Sequence, residues 1–241
     1  MPKTAIQQAI EKAAALNIGF DGARYTGLSI PAVMRLSRTL GISIRQVEQA
    51  ALETGIVPDR YVRNRQTLST ADQLRLLKAK VCIVGLGGLG GFVTELLARI
   101  GVGTLTLVDG DLFEDSNLNR QLLSSENRIG TAKAAAAADR VRAVNSAVAV
   151  TACREYLDPA NADHRLAGHD LAIDCLDNIQ TRFTLENAAR RAGIPVVSAA
   201  VAGTIGQITA IFPEDPGLRL IYGDPQTLTG PKGAETTLGT P

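Results

Sequence analysis

From Val81 onward the chain alternates short apolar runs with helix-like stretches, and this alternation constrains the fold more than any other feature. Strands that alternate with helices are typical of a parallel sheet covered by helices on both faces, so we predict an α/β fold with a mostly parallel sheet. The predicted strands are Val81 to Val84, Thr104 to Asp109, Val148 to Ala152, Leu171 to Cys175, Pro195 to Ala200 and Gly206 to Ile211. The predicted helices are Gly91 to Ile100, Lys133 to Asn145 and Arg182 to Ala192.

Residues 1–67 differ in character and predict a small helical segment with a linker, followed by the α/β domain over residues 68–241. In this segment "PAVMRLSRTL" and "SIRQVEQAALETG" predict two short helices on either side of Gly41, with Ser43 as an N-cap. Such a pair resembles a helix-turn-helix, but helical pairs of this spacing are common packing units. We therefore favour a helical cap and keep DNA binding as the alternative.

The charge balance argues against partners that are recognised by charge alone. Lys and Arg number 25 and Asp and Glu 24, so no overall positive field attracts the protein to nucleic acid or acidic membranes. Glu11 and Lys12 interrupt the apolar residues near the N-terminus, which is unlike a signal peptide, and no apolar run approaches the roughly 20 residues that span a bilayer. We expect no export and no membrane anchor.

Cysteine and histidine are too few and too scattered to predict a disulfide framework or a zinc cluster. The three cysteines, Cys82, Cys153 and Cys175, form no CxxC pair. All three lie in or directly after predicted strands, so we interpret them as packed rather than reactive thiols. These features favour a reducing cytoplasm.

A glycine cluster follows the first predicted strand and opens a helix. Gly85, Gly87 and Gly90 satisfy G-x-G-x-x-G, and Asp109 ends the next strand about 20 residues later. At such a turn main-chain N–H groups face a phosphate and the acid accepts the ribose hydroxyls. The context predicts a Rossmann-like nucleotide site, for either a dinucleotide in hydride transfer or ATP.

Further polar residues favour ATP, because a triphosphate needs several cations and a metal ligand. Asn117 and Arg120 follow the ribose acid, Lys133 begins a helix, and Asp177 lies past the end of a buried strand, where a carboxylate could hold Mg²⁺. An NAD-dependent oxidoreductase would leave Arg120, Lys133 and Asp177 unexplained. Upstream, Arg60, Arg63 and Arg65 crowd a polar linker, as a solvated charge run or as a phosphate contact.

Seven motifs in fixed order resemble the ThiF/MoeB/HesA family, the bacterial relatives of ubiquitin-activating enzymes. They extend over roughly residues 58–212 and read "RYVRN", "GLGGLGG", "LVDGD", "SNLNRQ", "GTAK", "CLDN" and "GQI". The resemblance implies that ATP and Mg²⁺ adenylate the C-terminal glycine carboxylate of a small ubiquitin-like protein ending in Gly-Gly, with release of pyrophosphate. It also implies a homodimer.

The resemblance assigns roles to individual residues of the chain. Asp109 resembles the ribose ligand and Asp177 the Mg²⁺ ligand. Asn117, Arg120 and Lys133 resemble the phosphate contacts, and Arg63 resembles the arginine that such dimers contribute to the partner subunit's active site. Arg120, Lys133, Asp177 and Arg63 are thus the expected catalytic residues. The expected nucleotide-binding residues are Gly85, Gly87, Gly88, Gly90, Asp109, Asp111, Asn117, Arg120, Lys133 and Asp177.

The chain departs from the family pattern after the "GQI" strand, where relatives with structural zinc carry a CxxC pair. Here the sequence reads "PEDPGLRLIYGDPQTLTG", so structural zinc is not expected. We also expect the C-terminal part to be short or truncated. A nucleotide-binding scaffold without catalysis remains an alternative, and the sequence does not choose among a sulfur carrier, another ubiquitin-like protein, a peptide terminus and a tRNA-borne carboxylate as substrate.

Overall fold

The computed structural model describes residues 4–224, and these divide into two compact units. The first contains the residues up to Ala79 with Leu97–Thr104 and Val144–Ala149. The second contains Lys80–Leu96, Leu105–Ala143 and the residues from Val150 on. The tail expected to be short or truncated lies, from residue 225 on, outside the described residues. The division at residue 67 stays a prediction.

The first unit combines helices with a small sheet. Its elements are α1 (Ala5–Ala13), β1 (Ala15–Ile18), β2 (Arg24–Leu28), α2 (Ile30–Leu40), α3 (Ile44–Glu53), β3 (Val57–Pro58), a 3-10 helix (Asp59–Gln66) and α4 (Thr70–Lys78). The sheet has the order β1-β2-β3, with β1 and β2 antiparallel and β2 and β3 parallel. The sequence analysis predicted helices here and missed this sheet. Its strands have only four, five and two residues, and Leu16 and Ile18 of β1 are exposed, so no buried alternation marks them.

The two helices that allowed the DNA-binding interpretation pack against a common core. Ser29 and Ser43 cap the N-termini of α2 and α3 by accepting hydrogen bonds from main-chain N–H groups. Their apolar faces meet in a cluster of buried residues: Ile10, Leu28, Ala32, Val33, Leu36, Val47, Ala51 and Ile56. The contacts of α2 and α3 therefore fit the helical-cap interpretation.

Arg60 takes part in a buried polar network within the first unit. Its Nε lies 3.0 Å from Glu48 Oε1, and Tyr61 Oη donates to Glu48 Oε2 over 3.1 Å. Asn145 Nδ2 donates to Tyr61 Oη and to the carbonyl of Ala98. Burial raises the pKa of Glu48 to about 7 in spite of the Arg60 charge and the Tyr61 hydrogen bond. Arg60 is therefore neither a solvated charge nor a phosphate contact here, but an internal partner.

The second unit is organised around a six-stranded sheet. Its strands are β4 (Lys80–Val84), β5 (Thr104–Val108), β6 (Ala149–Cys153), β7 (Leu171–Asp174), β8 (Val196–Ala202) and β9 (Ile205–Ile211). The helices are α5 (Gly88–Ile100), α6 (Lys133–Val144), α7 (Ala162–Leu166), α8 (Ile179–Ala192) and α9 (Arg219–Tyr222). The six predicted strands and three predicted helices are all present, and no end is shifted by more than three residues.

The strand order creates a crevice at one edge of the sheet. The order is β6-β5-β4-β7-β8-β9; β4, β7 and β8 pair in parallel, and β9 joins β8 antiparallel. From β4 the chain moves outward to β5 and β6, and then returns to β7 on the other side of β4. Ligands bind beyond the carboxyl ends of the strands at such a reversal. The fold therefore directs attention to the residues that follow β4, β5 and β7.

The cysteines are packed as predicted. Cys82 and Cys153 are buried in the core of the second unit and Cys175 is half-buried. Burial raises the pKa of Cys82 and of Cys175 to about 12 and also raises that of Cys153, so these thiols stay protonated near neutral pH. Among residues 4–224, no helix is long and apolar enough to cross a membrane.

Candidate nucleotide-binding site

The glycine loop between β4 and α5 contains two glycines that the fold itself requires. Gly85 has a positive φ of 88°, and a Cβ there would lie 2.6 Å from the carbonyl oxygen of Cys175. A Cβ at Gly90 would overlap the carbonyl oxygen of Gly85. These positions let the loop turn tightly and let α5 pack against it.

The two glycines between them are not required by their surroundings. A Cβ at Gly87 would meet nothing nearer than Gln121 Nε2 at 3.6 Å, and one at Gly88 nothing nearer than the main chain of Arg120 at 3.7 Å. Both positions therefore leave space at the N-terminus of α5, where free N–H groups and the helix dipole favour an anion. Glycine here permits close approach of a ligand rather than packing within the fold.

Asp109 ties the end of β5 to the glycine loop. Its Oδ2 accepts a hydrogen bond from the N–H of Leu86 over 2.7 Å, and its Oδ1 accepts one from the N–H of Asp111 over 2.8 Å. Burial raises the pKa of Asp109, and these two donors oppose the rise. Each carboxylate oxygen keeps a second lone pair, so the side chain can still accept ribose hydroxyls.

Lys133 and Asp111 form an ion pair beside this loop. Lys133 begins α6, as predicted, and its Nζ lies 2.9 Å from Asp111 Oδ2. The lysine side chain is 8% exposed and the aspartate side chain 47%. Tyr156 Oη donates to the other oxygen of Asp111 over 2.7 Å. Partial burial works to raise the pKa of Asp111, but the hydrogen bonds from Tyr156 and Lys133 outweigh it and lower the pKa.

Arg120 borders the N-terminus of α5, and its guanidinium group bonds to uncharged groups. Its Cγ would lie 3.8 Å from a Cβ at Gly88, and its guanidinium donates to the carbonyl of Ser116 and to Asn119 Oδ1. Among the residues that the structure describes, no carboxylate lies within ion-pairing distance of Arg120. A phosphate could therefore bind this guanidinium without competing with an internal anion.

Asn117 has a different position from the other predicted phosphate contacts. Its side chain is buried, and its Oδ1 accepts from the N–H of Glu114 over 3.1 Å. Its carbonyl accepts from the N–H groups of Arg120 and Gln121. Asn117 thus shapes the turn that carries Arg120, and a direct role toward phosphate would need its amide Nδ2, which lies 3.5 Å from Ser116 Oγ.

Asp177 lies on the loop after β7, at the same sheet edge as the glycine loop. The strands β4 and β7 are neighbours with Val84 opposite Asp174, and Gly85 packs against Cys175 and Leu176, directly before Asp177. The side chain is exposed, and within residues 4–224 it makes no hydrogen bond or ion pair. It is an oxygen ligand free to bind a cation.

The loop of Asp177 is held by a buried ion pair between Arg182 and Asp174. Nη1 of Arg182 lies 2.9 Å from Oδ2 of Asp174, and both side chains are almost fully buried. Ser198 Oγ donates to the same oxygen over 2.6 Å. The loop is bound from both sides, since the N–H of Leu176 donates to Asp174 and Arg182 donates to the carbonyl of Leu176.

Arg63 belongs to the first unit, and none of the contacts given above involves it. It is an exposed residue of the 3-10 helix, and its guanidinium carbon is 3.9 Å from the centre of the Phe20 ring. This is the geometry of a cation–π contact at an exposed site. Nothing within the first unit tests the role that the family resemblance implies for Arg63.

Gln121 and Tyr156 are candidate site residues that the sequence analysis missed. Gln121 is buried, and its Oε1 has no hydrogen-bond partner among the described residues, while its Nε2 faces Gly87. A buried polar atom without a partner is costly, so a bound molecule that donates a hydrogen bond here would be stabilised. The sequence could have indicated Gln121, because it directly follows Arg120. It could not have indicated Tyr156, because the side chain of Tyr156 contacts residues that are 45 and more positions away in the sequence.

The oxygen ligands at this edge suit Mg²⁺ bound together with phosphates. Mg²⁺ takes one or two carboxylates plus substrate phosphates rather than a cage made by the protein alone. Among residues 4–224, no three His, Cys, Asp or Glu side chains form a group that could hold a metal ion. A single free carboxylate such as Asp177 fits a cation that arrives with the nucleotide.

Comparison with known proteins gives one consistent result. A model of the ThiF family matches residues 61–237. The SAMP-activating enzyme E1 of Haloferax volcanii is 38% identical over 181 residues, which cover 74% of this chain and 67% of that protein. The adenylyltransferase and sulfurtransferase MOCS3 of Xenopus laevis is 39% identical over 159 residues, which cover 66% of this chain but only 35% of that protein.

Solved structures agree with this result. The structure of E. coli tRNA N6-threonylcarbamoyladenosine dehydratase, TcdA, in complex with ATP superposes with a TM-score of 0.61 at 27% identity. The superposition covers 76% of this chain and 79% of that one. The α/β fold predicted from the sequence is confirmed.

Proposed function

Because the chain belongs to the ThiF family of E1-like adenylyltransferases, we propose that it adenylates the C-terminal glycine carboxylate of a small ubiquitin-like protein, using ATP and Mg²⁺. The curated relatives named above are an E1 that activates SAMP and an adenylyltransferase, and a solved neighbour holds ATP. These relatives support ATP as the nucleotide and a ubiquitin-like protein as the partner.

One observation carries the proposal: Arg120 has no anionic partner among the described residues, although it lies at the N-terminus of α5 beside Gly88. Lys133 adds a second cation on the side of Asp109 and Asp111. A triphosphate with a leaving pyrophosphate needs more cations than a dinucleotide in hydride transfer, so two such cations favour ATP.

The reaction is a displacement at the α-phosphorus. An oxygen of the glycine carboxylate forms a bond to the α-phosphorus, and the bond from this phosphorus to the oxygen that bridges to the β-phosphate breaks. Pyrophosphate leaves with the electron pair. Two anions approach each other and charge spreads onto the leaving group, so Arg120 and Lys133 act by electrostatic stabilisation.

Asp109 would hold the ribose, the N–H groups at Gly87 and Gly88 the phosphates, and Asp177 the metal ion. Mg²⁺ bound between Asp177 and the phosphates would supply positive charge to the departing pyrophosphate. The exposed carboxylate of Asp177 and the buried network under its loop support this assignment.

We further propose a homodimer in which Arg63 acts on the nucleotide of the partner subunit. Arg63 is exposed, and within residues 4–224 its side-chain contact is with Phe20, a residue that is itself 44% exposed. Such a contact is weak at an exposed site and can be exchanged for a phosphate. We also propose a reducing, cytoplasmic location, which the three free cysteines support.

The test is exchange of labelled pyrophosphate into ATP. We expect exchange that requires Mg²⁺ and a carrier ending in Gly-Gly, and that is lost when the carrier lacks its last glycine. A tRNA in place of the carrier tests the alternative carboxylate suggested by the TcdA likeness. Arg63→Ala should lose exchange, and mixing it with Asp177→Ala should restore part of it, because mixed dimers then contain one intact site.

The proposal fails if no cognate carrier supports exchange while Asp177→Ala binds ATP as tightly as the unaltered protein. ATP binding without exchange would instead favour a nucleotide-binding scaffold. A larger rise in melting temperature with NAD than with ATP at equal concentration would favour the oxidoreductase, because the ligand that binds the native state more tightly stabilises it more.

A further inference from the structure

Tyr156 is an exposed aromatic residue that is nevertheless held at two points. It follows β6, its side chain is 69% exposed, and its hydroxyl donates to Asp111 Oδ1 over 2.7 Å. Its ring lies against the main chain of Gly110. The hydroxyl contact and the ring contact together hold this exposed side chain in one position.

The position of the Tyr156 ring requires glycine at position 110. A Cβ there would lie 2.8 Å from three atoms of the Tyr156 ring, closer than real side-chain contacts. Gly110 also stands between Asp109 and Asp111, on the loop where the ribose is expected. The tyrosine therefore lies directly on the nucleotide-binding loop.

The hydroxyl of Tyr156 completes a chain of contacts that ends at Lys133. Asp111 presents one oxygen to Tyr156 and the other to the lysine Nζ, 2.9 Å away. The main-chain N–H of Lys133 also donates to the carbonyl of Asp111 over 3.0 Å. The position of the ammonium therefore depends on the orientation of one half-exposed carboxylate.

We propose that Tyr156 is a positioning residue of the nucleotide site, which fixes Asp111 and through it the ammonium of Lys133. This inference rests on the proposed function, since Lys133 is there assigned to the phosphates. A lysine acts as a point charge on a stem of four rotatable bonds, so it must be aimed by its partners. Small displacements of a catalytic group cost large factors in rate.

Removing only the hydroxyl tests this role. In Tyr156→Phe the ring can still pack against Gly110, but the Asp111 carboxylate loses the hydrogen bond from the Tyr156 hydroxyl and can rotate. We expect kcat for exchange to fall about 5- to 20-fold, with KM for ATP changed less than about 3-fold, because a hydrogen bond to a charged group is lost away from the nucleotide itself. Tyr25→Phe is the matched control, because Tyr25 also donates to an aspartate, Asp59, but in the first unit.

A second readout needs neither carrier nor turnover. The rate at which an amine-reactive reagent modifies Lys133, measured by mass spectrometry on the free protein, should rise several-fold in Tyr156→Phe and stay unchanged in Tyr25→Phe. Unchanged labelling of Lys133 in Tyr156→Phe overturns the inference, whatever the rate of pyrophosphate exchange in this variant. If Lys133 is labelled faster in Tyr156→Phe but the unaltered protein shows no pyrophosphate exchange, the positioning of Lys133 by Tyr156 is supported and the proposed function fails.

Discussion

Lys133→Met is expected to slow carrier-dependent pyrophosphate exchange by about 10²- to 10³-fold, the usual cost of removing one group that stabilises charge in the transition state. Methionine keeps most of the buried stem and removes the ammonium, which is paired with Asp111 over 2.9 Å. The lysine side chain is 8% exposed, so its charge acts where water screens it little. Arg120→Met is expected to have an effect of similar size.

The control for this prediction is another lysine in an ion pair. Lys78 lies 3.3 Å from Glu53 and both side chains are about half exposed, so Lys78→Met should leave exchange unchanged. The expected loss must appear in kcat as well as in kcat/KM, because the charge on the departing pyrophosphate develops in the transition state. If Lys133→Met keeps more than a third of the original exchange rate, Lys133 has no catalytic role.

Arg182→Met is expected to lower the free energy of unfolding by about 3–5 kcal/mol, because it leaves a buried carboxylate without its cation. Asp174 and Arg182 are 1% and 4% exposed, and the arginine also holds the carbonyls of Leu176 and Ala199. Urea denaturation followed by circular dichroism gives this number. Arg142→Met is the matched control, since its pair with Asp139 is more than half exposed on both sides and should contribute less than about 1 kcal/mol.

Two further outcomes define the role of this buried pair. The double variant Asp174→Asn with Arg182→Met should recover part of the loss, because it removes the uncompensated charge. Burial raises the pKa of Asp174 in the folded protein, with Arg182 opposing the rise, so the folded state binds the proton more tightly than the unfolded chain. Stability from this group therefore falls as pH rises above its unfolded pKa, and the cost of Arg182→Met should be smaller in mild acid than at neutral pH. A cost below about 1 kcal/mol at neutral pH would contradict the account.

The parallel sheet could be predicted because its signals are local. The strands from Val81 on are rich in apolar and β-branched residues, and the helices between them have their own periodicity, so the alternation is visible without any contact between distant residues. The sheet of β1, β2 and β3 lacks such a signal. Its short strands expose Leu16 and Ile18 and pair through main-chain groups, which the sequence does not reveal.

The site likewise contains residues that the sequence predicts and contacts that it does not. Gly85, Gly90 and Asp109 follow from the spacing of one turn and one strand, and Lys133 from its place at a helix start. The partners of the charged residues do not follow from spacing: Asp111 pairs with Lys133, 22 residues away, and Arg182 pairs with Asp174 within a buried network. Side chains with several possible partners are assigned by the packing of the fold, not by their distance in sequence.

The arginines before α4 illustrate the limit for charged residues. Their spacing allowed either solvation or a phosphate contact, and the structure gives each of them a separate role. Arg60 joins a buried network with Glu48, whereas Arg63 and Arg65 lie over the rings of Phe20 and Tyr25. A cluster of like charges in sequence is therefore not a cluster in function.

A crystal structure with a non-hydrolysable ATP analogue and Mg²⁺ tests the central claim most directly. The account predicts phosphates within hydrogen-bond distance of the main-chain N–H groups at Gly87 and Gly88 and of the side chains of Arg120 and Lys133, with the metal ion on Asp177. A nucleotide whose phosphates point away from the start of α5, contacting neither cation, would contradict it.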